Sequence, residues 1–367
     1  MEPKYSGGAA GVVDVTCRAV DGLRVRSLSH PVKFALAATG EPTALHKTRN
    51  FPGAPVQSLA MLSYALRRIA GFVPTLLVVI TASFFVMRLA PGGPFDQEQA
   101  LPPAVRANLE RLYGLDEPLT LQYAHYLRAL VHGDFGPSLR QRDFTVGDLI
   151  AQGLPLSATL GIAALLLALL GGIPAGIVAA LRRDRPADYC LNVFAALALA
   201  LPSFVTGPLL ALVFGLYLRW LPVGGWQPGA PRYLALPALT LALPVAANVA
   251  RLTRASLLEV LGAPYVRSAR ARGLGAARVL WGHALRPALT PVVSYLGPAV
   301  AFVVTGSLVI ETVFGLPGSG RYLVQGAIDR DYPLVMGMIV VYGALTLSLN
   351  LVADLLHGWL DPGVRHE

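Results

Sequence analysis

Residues 265–287 read YVRSARARGLGAARVLWGHALRP, a stretch with five arginines set between long apolar runs. A short cationic amphipathic segment of this kind has two uses. It lies on an anionic membrane surface, or it docks on a partner protein, and its residues alone leave both open. Equipment for bond-making chemistry is missing elsewhere. The chain has no Gly-Lys pair and hence no GxxxxGK[ST] phosphate loop, and neither HExxH nor GxSxG occurs. Cys17 and Cys190 lie far apart without metal-ligand spacing.

The elements that position the arginines are legible. Pro264 suits the first turn of a helix, where its missing N–H costs nothing, and Gly273 suits the position after a helix end. Tyr265 to Arg272 then form about two turns, some 12 Å at 1.5 Å per residue. Tyr265 and Ala269 share one face with Val266 and Leu274 beside it, while Arg267, Arg270 and Arg272 point elsewhere. A second short helix, roughly 276–285 and including His283, returns the chain to an apolar run at Pro287. A helix this short is marginal in water, so something must hold it.

The surroundings are a membrane protein. Of 367 residues 54% are hydrophobic and 14% charged, mean hydropathy is +0.56, and a soluble domain carries about 25% charge. Uncharged stretches of about 20 residues, enough to cross a bilayer, occur at 69–87, 154–181, 189–218, 233–250, 287–310 and 334–353. The second and third exceed one crossing, so part of each tilts or extends beyond the bilayer. Prolines 174, 202, 208, 244 and 298 and the pair Gly171–Gly172 fall inside them, as kinks or as close-packing sites. The net charge of +9 belongs to the membrane rather than to nucleic acid, for which no binding pattern is present.

Arginine marks the cytoplasmic side. Arg67 and Arg68 precede the first span, Arg182, Arg183 and Arg185 separate the second and third, and Arg251, Arg254 and the segment above separate the fourth and fifth. Both termini are therefore expected in the cytoplasm, and 88–153 outside. Residues 1–60 hold all three lysines and no signal-peptide core. They read as a tail or as sequence preceding a start at Met61. The spans carry no charged residue, with Glu311 and Asp354 only at their edges, so the proton- or ion-coupling groups of a secondary carrier are missing. A stand-alone channel, a carrier and a membrane enzyme all fit poorly, and a conduit driven by a separate ATPase fits well.

Over nearly all of 61–367 the sequence resembles the membrane permeases of ABC importers, in the dipeptide/oligopeptide branch. The likeness is carried in order by MLSYALRR, RLAPGGPFD (88–96), HGDFGPS (132–138), LPSFVTGPLL (201–210), WLPVGGW (220–226), ARLTRASLLEVL (250–261), YVRSARARGL, HALRPAL, GPAVAFVVTGSLVIETVFGLPGSGR (297–321), RDYPLV (330–335) and DPGVR (361–365). The resemblance implies an all-α polytopic protein with six transmembrane helices in the type I importer permease fold. Its parts would be a first helix (61–90), an extracytoplasmic segment (91–153), a permease domain (154–357) with a cytoplasmic coupling loop (251–286), and a tail (358–367).

It also implies a non-enzymatic transport subunit without a cofactor, ATP being bound by two separate ATPase subunits. A second permease would complete a heterodimer, and an extracytoplasmic binding protein would deliver oligopeptides. Dipeptides, nickel or glutathione are alternative cargoes of the branch. Matching the family's Glu-Ala-Ala loop by its spacing to Gly273 places Arg267, Ser268 and Ala269 on those positions, so the glutamate is replaced. The residues implied at the ATPase are Pro264, Tyr265, Val266, Arg267, Ser268, Ala269, Arg270, Gly273, Leu274 and His283. HGDFG and GLPGSGR would lie near the delivery of cargo, or act as loop braces. Asn350 and Asp354 either line the path or pack helices.

Overall fold

The computed structural model describes residues 54–89, 114–141 and 143–360, together with Asn108 and Arg111, and side chains from 70 to 353 within these. The expected tail 1–60 falls outside them up to residue 53, as does the end of the chain from 361, and the Asp354 side chain lies outside the described side chains. Among the described residues the structure is helical, and its one β-bridge joins Pro137 to Thr145.

Twelve α-helices with described bounds follow in order among the described residues. They are α1 (Ala54–Leu89), α2 (Leu119–Val131), α3 (Val146–Leu181), α4 (Pro186–Ala200) and α5 (Ser203–Leu210), which continues in π-helical turns over Ala211–Tyr217. Then come α6 (Arg232–Leu261), α7 (Pro264–Ala271) and α8 (Ala276–Val279), joined by π-helical turns over Leu280–Ala284 to α9 (Leu285–Ala288). The chain ends with α10 (Thr290–Phe314), α11 (Ser319–Ile328) and α12 (Tyr332–Leu360). Five helices, α1, α3, α6, α10 and α12, are long and apolar enough to cross a bilayer, and the α4–α5 pair makes a sixth candidate span.

Three of the six expected spans take a different form. The second is a single helix of 36 residues, about 54 Å long, which starts eight residues before the apolar run. Its start is set by a capping box: the Thr145 hydroxyl accepts from the Asp148 N–H at 3.2 Å, and the Asp148 carboxylate accepts from the Thr145 N–H at 3.0 Å. The third is broken between Leu201 and Pro202, where α4 and α5 meet at 111°. Leu201 and Pro202 are both extended, with ψ of 122° and 143°, as the residue before a proline prefers. The fourth continues beyond its apolar run, so Arg251 and Arg254 ride on α6 rather than in a loop.

The centre of the bundle is the contact of α3 with α6, the most extensive between helices. It runs on GIPAG, residues 172–176. A methyl group added at Gly172 would meet the Ala246 carbonyl at 2.7 Å, and one at Gly176 the Ala250 carbonyl at 2.5 Å. Small residues four apart let two backbones touch, the usual device for pairing helices in lipid. Gly171, the other half of the glycine pair, touches nothing. Around this contact Leu160, Ala164, Leu241, Val245, Val249, Val303 and Ile310 form the main core. Large apolar side chains such as Val78, Leu170, Val193 and Phe194 face outward, as a helix does against lipid or another subunit.

Candidate coupling site

The segment that opened the sequence is held by three local devices. Beyond Leu261, Gly262 caps α6 and Ala263 is extended, with ψ of 148°, so the chain turns before Pro264 starts α7 at its first position. At the far end Arg272 is the cap and Gly273 has φ of 82°, a left-handed conformation that glycine adopts without a Cβ penalty. The Gly273 N–H donates to the Arg270 carbonyl at 2.9 Å and the Leu274 N–H to the Ala269 carbonyl at 3.4 Å, the pattern of a Schellman cap. Underneath, Val266, Ala269 and Val279 are buried, with Val260, Leu261 and Leu274 packed around them.

This small core explains how so short a helix persists. The buried face is Val266 with Ala269; Tyr265, expected to share it, is 47% exposed. The reason is angular: Val266 and Ala269, three apart, straddle the contact with α8, and Tyr265 falls at its edge. Pro264, Arg267, Ser268, Arg270, Arg272 and Gly273 are exposed as well, and the Ser268 hydroxyl donates back to the Pro264 carbonyl at 3.0 Å. His283 stands apart from this group, in the π-helical turns, with Nδ1 buried and unpartnered. The product is a rigid cationic knob fixed to the end of a transmembrane helix.

A feature the sequence reading passed over braces this end. Arg254, on the extension of α6, donates through Nε and Nη2 to the two carboxylate oxygens of Asp188 at 2.6 and 2.7 Å. Asn192 Nδ2 and the Asp184 N–H donate to the same carboxylate. Asp188 is 3% exposed, so the paired fork ties the start of α4 to α6 close to the knob. The partners are 66 residues apart, and nothing in their spacing announces the contact.

The opposite end of the bundle is held differently. Asp331, fully buried, accepts from the Ser138 hydroxyl, from the Leu139 N–H at 3.1 Å and from the Leu334 N–H at 3.2 Å. It thereby latches the end of HGDFGPS onto the start of α12. Glu311, also fully buried, accepts from the Gly320 N–H at 2.8 Å, in the first turn of α11. Ser319 links Ser157 and Tyr342 at 2.9 and 3.0 Å. Gly318 to Gly320 are buried against α3 and α10, so this stretch of GLPGSGR packs as a brace. Beside it α2 rests on the end of α1 and on α12 through Phe84, Tyr123, Tyr126, Tyr332 and Met336. Burial, with Tyr123 close by, pushes the Tyr126 hydroxyl up to about 12.

Asn350 Oδ1 stands 3.8 Å from where a methyl group on Gly297 of α10 would lie.

A bundle of membrane-spanning helices carrying a cationic knob on an extended helix defines a polytopic transport protein. Residues 172–366 match the family model described as binding-protein-dependent transport system inner membrane component, and residues 61–151 match the model of its N-terminal part. The chain belongs to this family, whose members are multi-pass proteins of the inner membrane, and its six helical spans are those of the type I importer permease fold. Among its relatives is the oligopeptide transport system permease protein OppB of Salmonella typhimurium, 50% identical over 306 residues, which are 83% of this chain and 100% of that protein. The OppB of Escherichia coli strain K12 is 48% identical over the same lengths. The dipeptide transport system permease protein DppB of Bacillus subtilis is 39% identical over 305 residues, 83% of this chain and 98% of that protein.

Proposed function

We propose that the chain is the membrane-spanning permease subunit of an ATP-driven, binding-protein-dependent importer that moves oligopeptides by alternating access. It works with a second permease, two ATPase subunits, one of which docks on α7, and an extracytoplasmic binding protein. ATP hydrolysis resides in the docked subunits, and both termini face the cytoplasm. The bounds 61–90, 91–153 and 154–357 for helix, external segment and permease domain belong to the same reading.

The observation that carries it is α7: a two-turn helix with its apolar residues sealed beneath it and its arginines outward, rigidly joined to α6. A force applied to the knob is delivered to the bundle, which is what rigid-body rocking between two states requires. Identity of 50% along the full length of an oligopeptide permease supports the cargo. A dipeptide cargo is the second reading, supported by the 39% likeness to a dipeptide permease.

The test is ATP-dependent uptake of labelled peptides by the whole complex in vesicles. Gly273→Pro forces φ near −65° where the chain holds 82°, so uptake should stop while membrane insertion persists. Full uptake by a stably expressed Gly273→Pro variant defeats the docking role, and uptake by the chain without ATP defeats the driven mechanism.

A further inference from the structure

We propose that the cavity at the break between α4 and α5 seats the peptide backbone of the cargo during passage; this rests on the oligopeptide reading above. The cavity holds about 340 Å³ and is lined by Leu199, Pro202, Ser203, Asn248, Tyr295 and Phe302, among others. It lies within the membrane-spanning part: at 1.5 Å per residue, Leu201 is about 20 Å along α4 from Asp188 and Asn248 about 9 Å along α6 from Arg254.

At that depth the break has a physical consequence. The last carbonyls of α4 and the first N–H groups of α5 lack intrahelical partners. In hydrocarbon such groups are tolerated only where protein covers them or where they line a water-filled space. The same holds for Asn248 and Tyr295, polar side chains within the apolar runs 233–250 and 287–310. Asn248 Nδ2 donates to the Tyr295 hydroxyl oxygen at 3.0 Å. By valence this leaves a second amide N–H, the Asn248 carbonyl and the Tyr295 O–H to bind something else. A broken helix facing such groups is the arrangement in which membrane transporters hold cargo.

The chemistry of the lining selects the ligand class. Donors and acceptors of an amide and a phenol match the N–H and C=O of a peptide bond. Leu199, Phe302 and Val245 supply apolar wall for a side chain, and no charged residue lines the cavity. Such a seat reads the backbone and is indifferent to the charge of the residues passing through it.

The experiment uses the complete complex in vesicles with the photoreactive tripeptide Ala–benzoylphenylalanine–Ala, competed by Ala–Ala–Ala. Crosslinks should map to 199–203, 244–248 or 295–302 and disappear with excess competitor. Asn248→Leu should lower both crosslink yield and uptake about tenfold, the loss of one to two buried hydrogen bonds. Tyr295→Phe, which keeps the ring, should lower them about threefold and decides the matter where Asn248→Leu does not assemble. Competable crosslinks confined to the second apolar cavity, lined by Leu154, Ile162, Val303 and Leu349 among others, overturn the proposal. So does a crosslink yield unchanged in both variants. A wild-type complex that takes up no peptide removes the oligopeptide reading and this seat together, whereas uptake with crosslinks elsewhere removes the seat alone.

Discussion

The two ends of the helix bundle each bury carboxylates, and they hold them by different means. At the end bearing the arginines, Asp188 is met by a guanidinium fork from a different helix. At the other, Asp331 is met by backbone N–H groups and the Ser138 hydroxyl, and Glu311 by the Gly320 N–H at Oε2, its buried Oε1 having no hydrogen-bond partner. A side-chain pair can travel with two helices as they move. A carboxylate fixed to backbone N–H groups at the first turn of a helix pins loop and helix together. The first arrangement suits an end that is driven, the second an end that holds a fixed shape.

Four substitutions sharpen or break that contrast, from the largest effect to the smallest. Ala269→Pro places a proline inside α7, where it removes a helical hydrogen bond and clashes with the preceding turn at a cost of about 3 kcal/mol. Vesicle uptake should be lost while the yield of inserted protein stays within about twofold, the knob lying outside the main core; parallel loss of both makes α7 a folding element instead. Asp331→Ala orphans two buried N–H groups and a hydroxyl and should destabilise by about 3 kcal/mol in a detergent unfolding titration. An unchanged titration there means that the Asp331 latch is not structural.

Arg254→Lys keeps the charge and loses the two-pronged fit, a change of about 1 kcal/mol at a fork of this kind. Its signature should be a lowered ratio of peptide moved to ATP consumed, larger than any shift in the unfolding midpoint. A shift in the midpoint alone assigns the pair to stability. Tyr123→Phe removes only the 2.6 Å hydrogen bond with Thr81 and should cost about 1 kcal/mol or less, with uptake unaltered.

How much of this was written in the sequence differs by element. The six apolar runs, the arginine-marked loops and the short helix between Pro264 and Gly273 were legible, because length, charge and backbone preference act locally. The capping box at Thr145–Asp148 and the GIPAG contact were equally local and were overlooked; the first follows the [ST]xx[DE] spacing, the second the small-xxx-small spacing. The break at Leu201–Pro202 was not legible. Pro174, Pro208, Pro237 and Pro244 sit inside continuous helices, so proline alone did not say which run would part; packing of the neighbouring helices decides it. The Asp188–Arg254 fork and the hold of Glu311 on Gly320 join residues with no shared sequence pattern.

The backbone contact at Gly172 and Gly176 has a mechanical corollary. With backbone against backbone at these two positions, α3 and α6 make a single stiff beam through the bilayer. A twist imposed at one tip of that beam arrives at the other with little attenuation, and bending has to be absorbed by its neighbours.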